Sequence, residues 1–204
     1  MKKLLLSLFA VTALALTTQA QTEKGNYMIG GNVEFNSEKV DGNSKADIDF
    51  AIVPSIGYFI SDNFAVGTGI GYQFAKSYSE SGVNSVKTQA FVVSPFARYY
   101  AGITEQFKFF GQLSVPMSFG NTKASTDNGD NYYKTNNNNS VGVALSPGFA
   151  FFPSKKFGIE FSVNGISYND NRLENANGDK ITGNKNFNIG ANFFAPKIGV
   201  QFYL

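Results

Sequence analysis

Bulky apolar residues alternate with small or polar ones in eight segments of this chain, and that period-two pattern leaves few folds open to it. The segments are 26–37, 46–60, 63–77, 85–101, 107–121, 139–153, 157–169 and 185–204. In the third, Phe64, Val66, Thr68, Ile70, Tyr72 and Phe74 share one parity. Ala65, Gly67, Gly69, Gly71, Gln73 and Ala75 share the other. The second and sixth repeat it, with Ile48, Phe50, Ile52 and Ile56, and with Val141, Val143, Leu145 and Phe149, set against Asp, Ser, Gly and Ala. Side chains alternate across a strand, so each segment has one greasy face and one small or polar face. Gly and Asn are too densely scattered for helices.

The connections come in two kinds. Short links lie around Ser61-Asp62-Asn63, Gly102 to Gln106, and Pro153 to Lys156. Longer polar links cover 38–45, 78–84, 122–138 and 170–184, the third holding Asp127 and the run Asn136 to Asn139. Short turns on one rim and long loops on the other describe an up-and-down meander of four hairpins.

Composition narrows the chemistry. Cys, His and Trp are absent and charged residues make up 16% of the chain. There is no thiol nucleophile, no disulfide framework and no imidazole base or ligand. No Ser sits in a nucleophile-elbow context. No catalytic residue, cofactor or metal is expected. Acidic loop residues such as Asp127, Asp130, Asp170, Glu174 and Asp179 lack calcium-loop spacing and read as solvated loops.

Residues 1–20 have the order of a secretory signal: Lys2-Lys3, an apolar run from Leu4 to Leu16, then Thr18-Gln19-Ala20. The run is too short for the roughly 20 residues of a spanning helix. Cleavage near Ala20 makes Gln21 the new N-terminus and leaves one domain, 21–204. It also removes Lys2 and Lys3, and with them the net charge of +2, which argues against a nucleic-acid partner.

Alternation does not say which face turns inward. A soluble barrel of the lipocalin kind, carrying an apolar ligand in the periplasm, buries its apolar face; a membrane barrel turns it to lipid. Lipid is favoured because the other face is rich in Gly, Ala and Ser, charges concentrate in loops, and aromatics gather beside the short turns. These are Tyr58, Phe59, Phe64, Tyr99, Tyr100, Phe107, Phe109, Phe151, Phe152, Phe157, Phe202 and Tyr203, as an interfacial girdle requires. Closure follows, since an open edge in lipid leaves unpaired backbone groups costing several kcal/mol each. The expected fold is an all-β, eight-stranded antiparallel up-and-down transmembrane β-barrel.

The last strand carries the most specific motif. Lys197-Ile198-Gly199-Val200-Gln201-Phe202-Tyr203-Leu204 has Lys197, Gly199, Phe202 and Leu204 at the polar, glycine, aromatic and terminal hydrophobic positions of a barrel-assembly signal, with Leu204 in place of the usual terminal aromatic. On this motif, the signal peptide and the strands, residues 21–204 resemble the small outer-membrane barrels of the OmpA/OmpX type, and more closely the porin-family outer membrane β-barrel domain of Gram-negative bacteria. The resemblance implies a monomer in outer-membrane lipid, inserted by the barrel-assembly machinery. It implies a non-catalytic envelope or surface-interaction role through external loops 122–138 and 170–184, whose partner the sequence does not name. The alternatives are a narrow ion or small-solute channel and the periplasmic carrier.

Two further expectations concern the strands themselves. Pro54, Pro95 and Pro147 precede Tyr58-Phe59, Tyr99-Tyr100 and Phe151-Phe152 at one offset, and because proline breaks a ladder, a bulge is expected at each. Strand eight changes parity between Phe193 and Pro196, implying a bulge near Ala195. On the small-residue face, Arg98, Lys108, Glu160 and Lys197 stand at similar heights, so Glu160 is expected to bridge the three cations. Phe96, Phe110 and Phe152 share that face, and eight strands leave an interior that side chains fill.

Overall fold

The computed structural model describes residues 22–39, 41, 44–79, 83–127, 131–175, 177–190 and 197–204. The expected signal segment 1–20, Gln21, Asp130 and the expected bulge at Ala195 lie outside the described residues. Among those described there is no helix. Eleven strands follow one another: β1 (Tyr27–Glu38), β2 (Asp47–Ser61), β3 (Phe64–Tyr78), β4 (Ser85–Gly102), β5 (Phe107–Ser114), β6 (Met117–Ser125), β7 (Tyr133–Ser154), β8 (Phe157–Ser162), β9 (Ile166–Asn175), β10 (Lys180–Ile189) and β11 (Lys197–Tyr203). They form eight antiparallel staves, because β5 and β6 lie end to end against β4 and β7, β8 and β9 against β7, and β10 and β11 against β9 and β8. The ring closes where β11 lies between β1 and β8, with Met28 facing Tyr203 and Gly199 facing Glu160. Leu204 completes the seam, its N–H donating to Tyr27 O at 2.9 Å and its carbonyl accepting from Tyr27 N–H at 2.8 Å. Toward the far rim, β10 and the Asn32–Glu38 part of β1 share no ladder among the described residues.

The bulky parity faces outward. Ile52, Ile56, Ile70, Tyr72, Phe91, Phe119, Val143, Phe149 and Val200 are all exposed, while the opposite parity holds the buried residues Ala65, Val92, Phe96, Ala150 and Gln201. This is the orientation of a membrane barrel, and a serine- and charge-lined interior is the wrong lining for an apolar cargo.

Two features differ from the sequence reading, and a third agrees with it. First, two of the four polar links, 122–138 and 170–184, are mostly strand. Residues 122–125 and 133–138 belong to β6 and β7, and 170–175 and 180–184 to β9 and β10. The Asn136–Asn139 run sits inside two ladders, facing β6 on one side and β9 on the other. Asn is a poor strand former in general, but here the staves project past the apolar belt and polar side chains suit water on both faces. Second, the prolines do not each make a bulge. Register is kept across Pro54, between Ile52↔Tyr72 and Ser55↔Gly69, and across Pro95, between Val93↔Met117 and Phe96↔Ser114. Opposite Pro147 it slips by one, from Gly148↔Ser162 to Leu145↔Ile166, and the extra residue lies in 163–165. Third, outward parity does change along strand eight, from Phe187 and Ile189 to Ile198, Val200 and Phe202, as the alternation requires.

The aromatic pairs beside the short turns split by parity, so they do not form one girdle. Tyr58, Tyr99 and Phe202 are exposed on the outer wall, whereas their neighbours Phe59, Tyr100 and Tyr203 are buried inside, as is Phe152. Each dipeptide supplies one ring to lipid and one to the interior. The interior rings need room, and glycines provide it. A Cβ on Gly67 would lie 2.6 Å from Phe96 Cζ and press on the Ile56 carbonyl, whereas one on Gly102 would meet open space. Gly67→Val is therefore expected to lower barrel stability by about 1–3 kcal/mol through overpacking, with Gly102→Val near neutral. Heat-modifiable gel mobility of the two variants measures the difference.

Candidate functional site

The interior is built in layers. Nearest the short turns is an aromatic floor. Phe59 stands 5.9 Å from Tyr100 and 6.3 Å from Tyr203 between ring centroids; Tyr100 lies 5.7 Å from Phe110, and Phe152 5.3 Å from Tyr203. Spacings of this order are those of favourable tilted ring pairs. Beneath the floor the segment 22–26 folds across the end of the barrel. Asn63 sits in the left-handed region at φ 63°, which Asn tolerates, and closes the β2–β3 turn. Its side-chain oxygen accepts from Thr22 Oγ1 at 2.6 Å and from Lys108 Nζ at 3.0 Å. Lys108 Nζ also donates to Thr22 Oγ1 at 2.5 Å, and Gly25 N–H donates to Phe59 O at 2.9 Å.

Directly above the floor lies a buried ion pair. Arg98, on β4, donates from Nη1 to Glu160 Oε1 at 2.7 Å and Oε2 at 2.8 Å; Glu160 comes from β8 on the other side of the lumen. The guanidinium is held in place by further bonds. Nε and Nη2 donate to Gln112 Oε1 at 2.8 and 2.6 Å, and Nη1 donates to Tyr100 O–H at 2.9 Å. The Tyr100 and Tyr203 hydroxyls both donate to Glu160 Oε1, at 3.0 and 3.1 Å. The Phe110 ring covers the cation, its centroid 4.4 Å from Arg98 Cζ. Arg98 and Glu160 are 7% and 4% exposed. Burial of this degree demands that each charge be paired and hydrogen-bonded, and both are.

Of the four charges expected to cluster, the structure therefore joins two. Lys108 points down into the cap with Thr22 and Asn63, one level below Glu160. Lys197 faces Ser162 on β8, is exposed, and sets its Nζ 3.5 Å from Glu34 Oε1. Gln112, Tyr100, Tyr203, Phe59 and Met28 were not anticipated as part of the group. The signal for the two tyrosines was present in the dipeptides: adjacent residues of a strand point to opposite faces, so one member of each pair had to enter the lumen.

Above the ion pair the lumen is polar. A cavity of about 240 Å³ is lined by Ser55, Ser94, Ser114, Ser146 and Ser162, with Lys197 at its edge. Toward the far rim a second cavity, of about 480 Å³, is bounded by Glu34, Asn36, Asp49, Gln73 and Thr88 among others. The interior is thus polar above the ion pair and packed with aromatic rings below it. No group of carboxylates suited to a metal occurs among the described residues. Asp127 instead caps its own hairpin tip, accepting from Ser125 Oγ at 2.5 Å and from Asn131 N–H at 3.0 Å, contacts that hold its carboxyl down to about 2.

A family model for the outer membrane protein β-barrel domain matches residues 5–193, nearly the whole chain. The chain belongs to that family. Its members are bacterial outer-membrane proteins. Among solved structures it is similar to Neisserial surface protein A, at 16% identity and a TM-score of 0.46 over 88% of this chain and 97% of that one. It is similar also to Ail, the attachment invasion locus protein of Yersinia pestis, at 16% identity and a TM-score of 0.45 over 89% and 99%. The outer membrane protein OprG from Pseudomonas aeruginosa gives 15% and 0.46 over 91% and 99%. No curated protein matches.

Within this outer-membrane barrel, removing one member of the buried pair leaves the other uncompensated. Glu160→Gln should destabilise the folded barrel by about 3–5 kcal/mol, while Arg98→Met combined with Glu160→Met should recover most of the loss. Urea unfolding in detergent or lipid vesicles, followed by tyrosine fluorescence, checks both.

Proposed function

We propose that this protein is a non-catalytic, monomeric outer-membrane barrel with a plugged lumen, serving the envelope as a structural element and as a platform for surface contacts made by its far-rim hairpins. The observation that carries this reading is the continuous floor of Phe59, Tyr100, Phe110, Phe152 and Tyr203, locked from above by Arg98–Glu160 and from below by Lys108, Thr22 and Asn63. A solute would have to break all three layers to cross. The surface-contact part moves from loops 122–138 and 170–184 to the hairpin tips and the polar stave ends beneath them. The absence of His and Cys supports a role without chemistry.

The same reading includes secretion with cleavage near Ala20, exposing Gln21, and insertion by the barrel-assembly machinery through Lys197, Gly199, Phe202 and Leu204. Phe202 and Leu204 are exposed on the outer wall, where a partner strand or chaperone surface reaches them during insertion. The runner-up is a narrow ion or small-solute channel. Its support is the polar, serine-lined cavity above the ion pair.

Planar-bilayer recording separates the two. The wild-type protein is expected to show no conductance steps, whereas Phe59→Ala combined with Tyr100→Ala opens the floor and yields small steps. Regular steps from the wild type would replace the plugged scaffold with the channel.

A further inference from the structure

Four lysines occupy one rung of the barrel wall. Lys76 on β3 faces Lys87 on β4, Lys87 faces Lys123 on β6, and Lys123 faces Lys134 on β7. Residues paired in this way put their Cβ atoms about 5 Å apart on the same face of the sheet. That face is the outer one: Lys76 shares its parity with Tyr72, Lys87 with Phe91 and Lys123 with Phe119, all exposed on the wall. Lys134 joins the row through the register shift between Thr122 and Lys123.

Like charges directly opposite across a ladder repel, so a row of four is unfavourable alone. The ion pairs among the described residues are Arg98–Glu160, Arg172–Asp170 and Lys197–Glu34, and none includes a member of the row. What the protein supplies instead is aromatic. Lys76 Nζ lies 4.8 Å from the Tyr78 ring centroid and 5.6 Å from that of Tyr132; Lys87 Nζ lies 5.5 Å from both Tyr132 and Phe74. Tyr132 is anchored by Ser85, its O–H 2.8 Å from Ser85 Oγ. Rings steer and space the ammonium groups but leave their charge in place.

The height of the row names what neutralises it. The outward face of β3 carries no charge from Phe64 to Phe74 and is apolar but for Thr68 and the Tyr72 hydroxyl, and at about 3.4 Å per residue and a tilt of about 40° that stretch rises about 25 Å, the height of the lipid-facing band of such barrels. Lys76 is the next outward residue. The ammonium groups therefore stand where hydrocarbon ends and headgroups begin, on the rim away from the short turns and the chain end. We propose that the Lys76–Lys87–Lys123–Lys134 row is a binding site for the phosphate groups of phosphorylated lipids in the outer leaflet, with their acyl chains lying on Tyr72, Phe91 and Phe119 below. A free phosphate satisfies the charge but gains nothing from the aromatic wall, so the occupant is a lipid.

The test uses the protein folded into phosphatidylcholine nanodiscs, with and without phosphatidic acid as the phosphate-bearing probe. Native mass spectrometry reads the phosphatidic acid retained per barrel, and heat-modifiable mobility reads the stability it confers. Wild type is expected to retain the probe and melt higher in its presence. Retention should fall about fivefold for each lysine changed to Gln along the row. The four-fold variant should be at least as stable as wild type in phosphatidylcholine alone, since its repulsion is gone, which separates lost binding from misfolding. Lys155→Gln with Lys156→Gln, on the opposite rim, should leave retention unchanged. Equal retention by the four-fold variant, an equal loss from the opposite-rim variant, or the same stabilisation from inorganic phosphate in phosphatidylcholine would each overturn the proposal.

Discussion

Hydrocarbon offers a peptide group nothing to bond to, and almost every feature of this molecule answers to that constraint. Each N–H and C=O in the belt must find its partner on a neighbouring strand, so the sheet has to curl until its first and last strands meet. Here the meeting is made by β11 and by Leu204 just after it, which exchanges both backbone bonds with Tyr27. Proline is tolerated within this ladder at little cost to register. Across Pro54 and Pro95 the flanking pairs hold their places, and Val115 N–H still finds Pro95 O at 2.9 Å. The pairing on either side is long enough that one missing donor does not permit a slip, which would turn every side chain on the strand to the wrong face.

Closing the sheet around eight staves then fixes the interior. The space is so narrow that the inward face must alternate between residues with almost no side chain and a few large ones. Gly57 and Gly67 accommodate Phe96, and Gly148 accommodates Phe110. The large residues are not spread evenly. They collect near the short turns, where the chain also folds Thr22 and Lys108 across the opening, and the serine-lined space is left above. One end of the barrel is packed with rings and the other is lined by polar side chains, an asymmetry that matches the contrast between turn-like and hairpin-like connections.

The strand count, the parity and the lipid-facing surface were legible in the sequence because period-two alternation is a local property and lipid enforces it strictly. The strand ends at the far rim were not. Beyond the belt, water wets both faces, alternation fades, and Asn136 to Asn139 reads as loop although it pairs on both sides. The ion pair was half legible. Arg98 and Glu160 share a face and a height, but height alone does not place two residues around a circle. Lys108 lies on the stave next to Arg98 and nevertheless turns downward, because Thr22 and Asn63 offer it two oxygens that Glu160, already engaged by Arg98, Tyr100 and Tyr203, does not. The aromatic floor was concealed by its own regularity. Pairs such as Tyr99-Tyr100 look like a girdle when counted along the chain and like a girdle plus a plug when sorted by parity.

A purely apolar plug of similar volume would seal the lumen about as well, since a buried pair seldom adds net stability over well-packed hydrophobic residues. What the polar version adds is directionality. Arg98 reaches Glu160 across the barrel and Gln112 on the neighbouring stave, while Tyr203 brings the last strand to the same carboxylate. A barrel slipped by one residue at the β11 seam would turn Tyr203 outward and leave Glu160 with fewer donors in a site that water reaches poorly. Rings packing on rings would tolerate that slip far better. The network thus penalises wrong closure in the place where the first and last strands must find each other, and it does so by joining side chains of the β4–β5 hairpin to those of β8 and β11, which are distant from it in sequence.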